Sequence, residues 1–268
     1  MLYNSGSGSV VLGGKTMEYV CFGYGEKALI MIPGLSEGLK TVKGTGLGFA
    51  RSYRIFAEDY RVYMFSRFNE MDEGTTTRDM ARDLKLACDE LGITSADVLG
   101  VSEGGMIAQH LALDYPEFVK KLILAVTASR KYPVMEECIP QWIKMADNDD
   151  YSGIMTDTAM RSYSEAFLKK YGRFLPLLTV AGKPKSFSRF IIQADACLTH
   201  NAYDRLGEIK CPVLILGGSV DKIVGPQASY DIAEKIPGSV LYMYEGQSHA
   251  PYQEEEADFN SRVLEFIK

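Results

Sequence analysis

An α/β architecture, with a mostly parallel central sheet and helices on both of its faces, is what this sequence predicts. Three observations carry it. Short continuous apolar runs, Ala28 to Ile32, Leu122 to Val126 and Val213 to Leu216, read as strands buried on both sides. Between such runs stand helical repeats, the clearest being Met80, Leu84, Ala87 and Leu91. Strand, helix and strand joined by short links require βαβ units and a parallel sheet. At 268 residues, 46% hydrophobic and 24% charged, the chain is long enough to bury such a core without disulfides or metal.

In order, Ser9 to Leu12 and Thr16 to Phe22 flank Gly13-Gly14, a hairpin signal. Ala28 to Ile32 is a strand ended by Pro33-Gly34. A helix over Arg51 to Glu58 leads into a strand at Arg61 to Ser66, and Gly44-Thr45-Gly46-Leu47-Gly48 before it reads as a flexible loop over the active-site edge. Thr77 caps the next helix and Gly92 stops it. Asp97 to Val101 is a strand, Met106 to Asp114 a helix, and Leu122 to Val126 a strand. From Arg130 to about Ile209 the spacing turns helical, with Trp142, Met145, Met155, Met160, Tyr163, Phe167, Tyr171 and Phe174 among charged residues. The sheet then resumes at Val213 to Leu216 and Val240 to Tyr244, with helices at Ser229 to Lys235 and Glu255 to Ile267. Glu254, Glu255 and Glu256 read as dipole partners at a helix start. The expected organisation is a core of residues 1–129 and 210–268, with 130–209 as a helical insertion.

Composition narrows the function classes. The formal net charge of −6 disfavours a nucleic-acid binder, which would carry a basic stripe. No apolar run approaches the ~18 residues that cross a bilayer, and the N-terminus lacks a secretory signal pattern. Five cysteines, with no CxxC spacing, read as buried small hydrophobes in a reducing compartment. The expectation is a cytoplasmic protein acting on a small molecule, with no nucleic-acid or membrane partner; the sequence leaves oligomeric state open. Three histidines without an i, i+4 pair give no metal site, and no phosphate-binding glycine motif suggests a nucleotide cofactor.

The chemistry centres on Gly100-Val101-Ser102-Glu103-Gly104, a G-x-S-x-G pentapeptide between an expected strand and an expected helix. Turning over so few residues strains the central residue, holds its hydroxyl at the carboxyl end of the strand, and aims a helix N-terminus at a developing oxyanion. A serine hydroxyl needs a base. His110 lies on an apolar helix stripe and reads as packed; His200, at the end of the insertion, keeps a substrate-facing role open. His249, in the loop after the last strand, shares the sheet edge of Ser102 and is the candidate base. Asp221, past the strand Val213 to Leu216, is the candidate orienting acid; no carboxylate follows the strand at Leu122 to Val126.

With these residues in view, the chain resembles the α/β-hydrolase fold superfamily, in the serine hydrolase subset with a helical cap. The order Ser102, Asp221, His249 is the order that superfamily uses. The resemblance implies an oxyanion hole from the backbone N–H groups of Glu103 and Leu35, although Pro33-Gly34 stands where many relatives have His-Gly. Ser36 adds a hydroxyl or is solvated. Relatives with an aspartate nucleophile are set aside by Ser102. The resemblance also implies that residues 130–209 fold over Ser102. Trp142, Met145 and Tyr163 are candidate substrate contacts, and the methionine and aromatic content suits an apolar or aryl group. Lys169, Lys170 and Arg173 either bind a carboxylate or face solvent. The expected activity is hydrolysis of a small or medium carboxylic ester through an acyl-enzyme. A C–C bond hydrolase, an amidase or peptidase, and a cofactor-free perhydrolase stay open, as does a non-catalytic small-molecule receptor on the same scaffold.

Overall fold

The computed structural model describes residues 2–174 and 182–268. Its eight strands form one sheet: β1 (Gly6–Leu12), β2 (Lys15–Phe22), β3 (Lys27–Ile32), β4 (Tyr60–Phe68), β5 (Ala96–Val101), β6 (Val119–Ala125), β7 (Val213–Gly218) and β8 (Val240–Tyr244), in the spatial order β1-β2-β4-β3-β5-β6-β7-β8. Only β2 runs against its neighbours; the pairs from β4–β3 to β7–β8 are parallel. The β1–β2 hairpin turns on Gly13 and Gly14, both at positive φ (57° and 83°), the turn whose twist matches that of the strands.

Strand alternation sorts the core into two layers. Ile30, Val98, Leu122, Leu124 and Ile215 point to one face and Leu29, Leu99, Ile123, Leu214 and Leu216 to the other. The first face packs α2 (Thr77–Glu90), α3 (Glu103–Asp114) and α8 (Gln227–Lys235) through residues such as Leu84, Ile107 and Ile232. The second packs α1 (Gly46–Ser52) and α10 (Glu256–Ile267) through Ala50, Phe259 and Val263. Between β6 and β7 the chain forms α4 (Pro133–Asp147), α5 (Tyr151–Ser162), α6 (Glu165–Tyr171) and α7 (Ser188–Thr199), which have an apolar cluster of their own around Met135, Ile139, Trp142, Ile154 and Phe190. The part of this expected helical stretch at 175–181 lies outside the described residues. A short helix α9 (Pro251–Glu254) precedes α10.

Several sequence expectations shift. The helix expected at Arg51 to Glu58 is instead α1, followed by a separate 3-10 turn at Arg54–Phe56, so Gly46 to Gly48 are its first turn and not a loop. Tertiary packing overrides the poor helix propensity of the glycines: a side chain at Gly46 would sit 3.3 Å from the Gly6 carbonyl oxygen. Helix α3 starts at Glu103, three residues before the expected Met106, and Val126 leaves β6 at φ 43°. The cap of α2 is Thr76, whose hydroxyl accepts from the Asp79 amide in a reciprocal capping box; Thr77 is buried one residue further on. Glu254 is not a free dipole partner: its carboxylate accepts from the amide and hydroxyl of Ser164, at the start of α6. All five cysteines are free thiols, four of them buried.

Replacement Thr76→Ala removes one half of the capping box and is expected to lower unfolding free energy by about 1 kcal/mol in urea denaturation. An unchanged midpoint would return the cap to Thr77.

Candidate active site

Ser102 occupies the turn between β5 and α3 with φ 55° and ψ −119°, a backbone conformation that L-residues rarely hold. The surroundings fix it. Its amide donates to the Ala125 carbonyl at 2.9 Å, and the Ser102 carbonyl accepts from the Thr127 hydroxyl at 2.6 Å. Gly104 lets the turn seat itself on the end of β3: a Cβ there would lie 2.0 Å from the Ile32 carbonyl oxygen. The sheet therefore over-determines the serine.

The loops after β7 and β8 bring Asp221 and His249 to the same edge. Asp221 Oδ1 accepts from the amides of Ile223 (2.8 Å) and Val224 (3.0 Å), which leaves Oδ2 for the imidazole. His249 Nδ1 lies 2.7 Å from Asp221 Oδ2, and Nε2 lies 2.9 Å from Ser102 Oγ. With Nδ1–H donating to the carboxylate, Nε2 is the acceptor for the serine hydroxyl, so the arrangement can take the serine proton. Two carbonyls at the end of α5 hold the histidine loop: Ser162 accepts from the His249 amide at 2.9 Å, and Arg161 from the Ser248 hydroxyl at 2.6 Å.

Leu35 opens a 3-10 turn (Leu35–Gly38) and Glu103 opens α3. First-position amides of helical turns have no acceptor within the turn. The two segments meet beside the serine, since a Cβ on Gly34 would come 3.1 Å from Ser102 Cβ.

A cavity of about 90 Å³ adjoins the serine, lined by Leu35, Ser36, Met106, Met135, Ile139, Trp142, Thr158, Ser162, Cys197, Ile223, Val224, His249 and Tyr252. A larger cleft of about 380 Å³ lies beyond Gly34, Ser36 and Tyr252, walled by Phe49, Tyr53, Met64, Leu99 and Val101 with Gln253 and Glu256 among its polar residues. Among the described residues no Lys or Arg lines either space.

Of the sequence-proposed substrate contacts, Trp142 lines the small cavity while its Nε1 donates to Asp157 at 2.7 Å. Met145 and Tyr163 do not line it. Met145 packs into the apolar cluster of α4–α7; Tyr163 stacks on Phe167 at 4.3 Å and donates its hydroxyl to Gln253. Reading the α4 stripe strictly as Met135, Ile139, Trp142 would have found the correct face; Met145 continues the chain but not that wall. Lys169, Lys170 and Arg173 are exposed. His200 turns away from the cavity. It is buried, its Nδ1 lies 2.9 Å from Thr77 Oγ1, and its ring meets His110 edge-on with centroids 5.1 Å apart. Burial pushes His110 down to about 4 and His200 down to about 3. Glu103, fully buried, is pushed up to about 7 by loss of solvent, against the pull of Arg67.

The family model of the alpha/beta hydrolase fold matches residues 27–168, from β3 into α6. The chain belongs to this family, whose fold is that of hydrolytic enzymes. The particular proteins it resembles are also hydrolases. It is 29% identical, over 65% of its own length and 70% of the relative's, to the pimeloyl-[acyl-carrier protein] methyl ester esterase of Chromobacterium violaceum. It is 27% identical, over 91% and 88%, to the 2-hydroxy-6-oxo-6-phenylhexa-2,4-dienoate hydrolase of Burkholderia cepacia. The enol-lactonase of Burkholderia xenovorans LB400 shares the fold with a TM-score of 0.82 over 97% of this chain and 99% of that one, at 17% identity.

The depressed histidines have a sign. Their neutral forms stabilise the fold fully above the unfolded value near ~6.5, and that contribution is lost as pH falls toward 4. Glu103 acts oppositely, its contribution being lost as pH rises through about 7. Between pH 7 and 4.5, His110→Gln should therefore lose less stability than the parent, by about 2 kcal/mol, with Glu103 common to both proteins. Parallel urea stability curves for the two proteins would show that His110 does not titrate with folding.

Proposed function

We propose that the protein is a serine hydrolase of neutral carboxylic esters. Ser102 attacks the carbonyl carbon while His249 takes the hydroxyl proton; the imidazolium then gives that proton to the leaving alcohol, and water releases the acyl group from Ser102 by the same steps. Asp221 holds the tautomer and stabilises the imidazolium. The amides of Leu35 and Glu103 receive the oxyanion. Helices α4–α7, within residues 130–209, serve as the cap, the rest of the chain as the core. The single observation that carries this reading is the continuous hydrogen-bond chain from Ser102 Oγ through His249 to Asp221, on a strained turn beside an apolar cavity.

The lining favours an ester over C–C cleavage of a dienoate, the reaction suggested by the relative from Burkholderia cepacia. A carboxylate-bearing substrate wants a cation in its dry site, and the described residues supply none there. A neutral ester fits the space, with its smaller group in the cavity of about 90 Å³ and its larger group toward the cleft of about 380 Å³. Tyr252 lines both spaces and so limits the first.

Ser102→Ala should stay folded and lose about 10³-fold or more in kcat/KM toward p-nitrophenyl butyrate. Retained esterase activity in this variant would end the reading. Tyr252→Ala should raise the octanoate-to-acetate ratio of kcat/KM at least about tenfold, the scale of removing steric exclusion of a few methylenes; an unchanged ratio in a folded variant would remove Tyr252 from substrate selection.

A further inference from the structure

A cluster of charged side chains that does not line the cavity beside Ser102 is left unused by the mechanism above. Arg67, Glu37 and Glu103 are 4%, 3% and 0% exposed. Arg67 Nη2 donates to Glu103 Oε2 at 2.9 Å and to the Pro33 carbonyl at 2.6 Å. One guanidinium therefore ends on the residue that carries one oxyanion amide and on the peptide just ahead of Gly34-Leu35, which carries the other. Glu37, in the same 3-10 turn as Leu35, accepts from Arg189 Nη2 at 2.6 Å and from Gln193 Nε2 at 3.1 Å, both on α7. Arg189 also donates to the carbonyls of Glu37 and Phe68. Two arginines thus face two carboxyls, and Arg67 Nε and Nη1 and Glu103 Oε1 make no hydrogen bond of their own.

Stability is a weak reason for such a cluster, because desolvating four charges offsets most of their attraction. Geometry is a better one. The two amides belong to segments far apart in sequence, and an oxyanion donor acts only at about 2.7–3.1 Å from the developing charge. Displacement by about 1 Å costs on the order of 10² in rate. Both bonds come from one nitrogen, Nη2, which the rigid plane of the guanidinium aims at the Glu103 carboxyl and the Pro33 carbonyl together; an ammonium on a flexible stem has no such fixed direction. We propose that Arg67 and Glu103 are positioning residues that lock the amides of Leu35 and Glu103 into one oxyanion-binding register, and that Glu37, Arg189 and Gln193 extend this brace to α7. This rests on the assignment of those two amides to the oxyanion.

The test uses Arg67→Lys, which keeps the charge and loses the rigidly aimed Nη2, and Glu103→Gln, which keeps the shape and loses the carboxylate. Two quantities are read in the parent and in each folded variant: kcat and KM for p-nitrophenyl butyrate, and the inhibition constant of an alkyl trifluoromethyl ketone. That ketone takes the serine oxygen on its carbonyl carbon and becomes a hemiketal oxyanion, with the serine proton passing to His249. Both variants should lose about tenfold or more in kcat, keep KM within about threefold, and bind the ketone more weakly by the factor lost in kcat. A folded variant whose kcat and inhibition constant stay within about threefold of the parent's overturns the proposal, as does a loss of kcat with ketone affinity intact. If Arg67→Lys does not accumulate as soluble protein, Glu103→Gln decides alone. A parent that neither cleaves the ester nor binds the ketone removes the oxyanion assignment and this proposal with it; a parent that does both while the variants match it removes the brace alone.

Discussion

The proposed chemistry hangs on a backbone that resists its own conformation. Holding Ser102 at φ 55° costs on the order of 1–3 kcal/mol, and local sequence cannot sustain it. The sheet does so, through the Ala125 carbonyl on the serine amide, the Thr127 hydroxyl on its carbonyl, and the contact of Gly104 with the end of β3. Three strands, β3, β5 and β6, thus converge on one residue. The same convergence explains why the turn lies in mid-sheet, where neighbours on both sides are parallel and their carboxyl ends gather.

Much of this was legible in the sequence, for reasons that differ from element to element. Strands β3, β6 and β7 announce themselves because burial on both faces forces unbroken apolar runs. Ser102, Asp221 and His249 stand out because each follows a strand of the parallel part of the sheet, so their common edge follows from topology before any distance is known. The rest was hidden where a tertiary partner decides. Thr76 and Thr77 are adjacent and both can cap; His200, which bonds Thr77, settles the choice from 123 residues away. Glu254 resembles a helix-start carboxylate until Ser164 comes to meet it. Met145 shares the composition of the wall residues without sharing their face. Glu103 gave a signal that could be read only halfway: a carboxylate opening an otherwise apolar, buried helix must have a cation, but nothing along the chain names Arg67.

The helices between β6 and β7 are tied to the sheet edge at points that bear directly on the histidine loop. Arg161 and Ser162, at the end of α5, offer carbonyls to Ser248 and His249, and Ser164 is held by Glu254. Any displacement of α5 therefore pulls on the backbone that aims the imidazole. On the other side Arg189 and Gln193 of α7 grip Glu37, beside the Leu35 amide. In the proposed mechanism, base and oxyanion site are thus each anchored to a different helix of the same segment, so occupancy beneath it and alignment of the reacting groups are mechanically linked.

The distribution of charge around Ser102 suits the proposed ester reaction. In that reaction the substrate is neutral, and the only charges that arise are the oxyanion and the imidazolium, which stand beside one another. A fixed cation in the cavity would favour anionic ligands that never react, and a fixed anion would oppose the oxyanion. Among the described residues the cavity beside Ser102 has no Lys, Arg, Asp or Glu in its lining and the larger cleft has only Glu256, while Arg67, Glu37 and Glu103 are buried outside both linings. Placed there, they stay out of the space a substrate would fill, while Arg67 holds the Pro33 peptide and the Glu103 side chain. In the proposed mechanism the electrophilic surface is then made of backbone amides, whose partial charges act only at hydrogen-bond range and in one direction; a formal charge in their place would be felt by every ligand that entered.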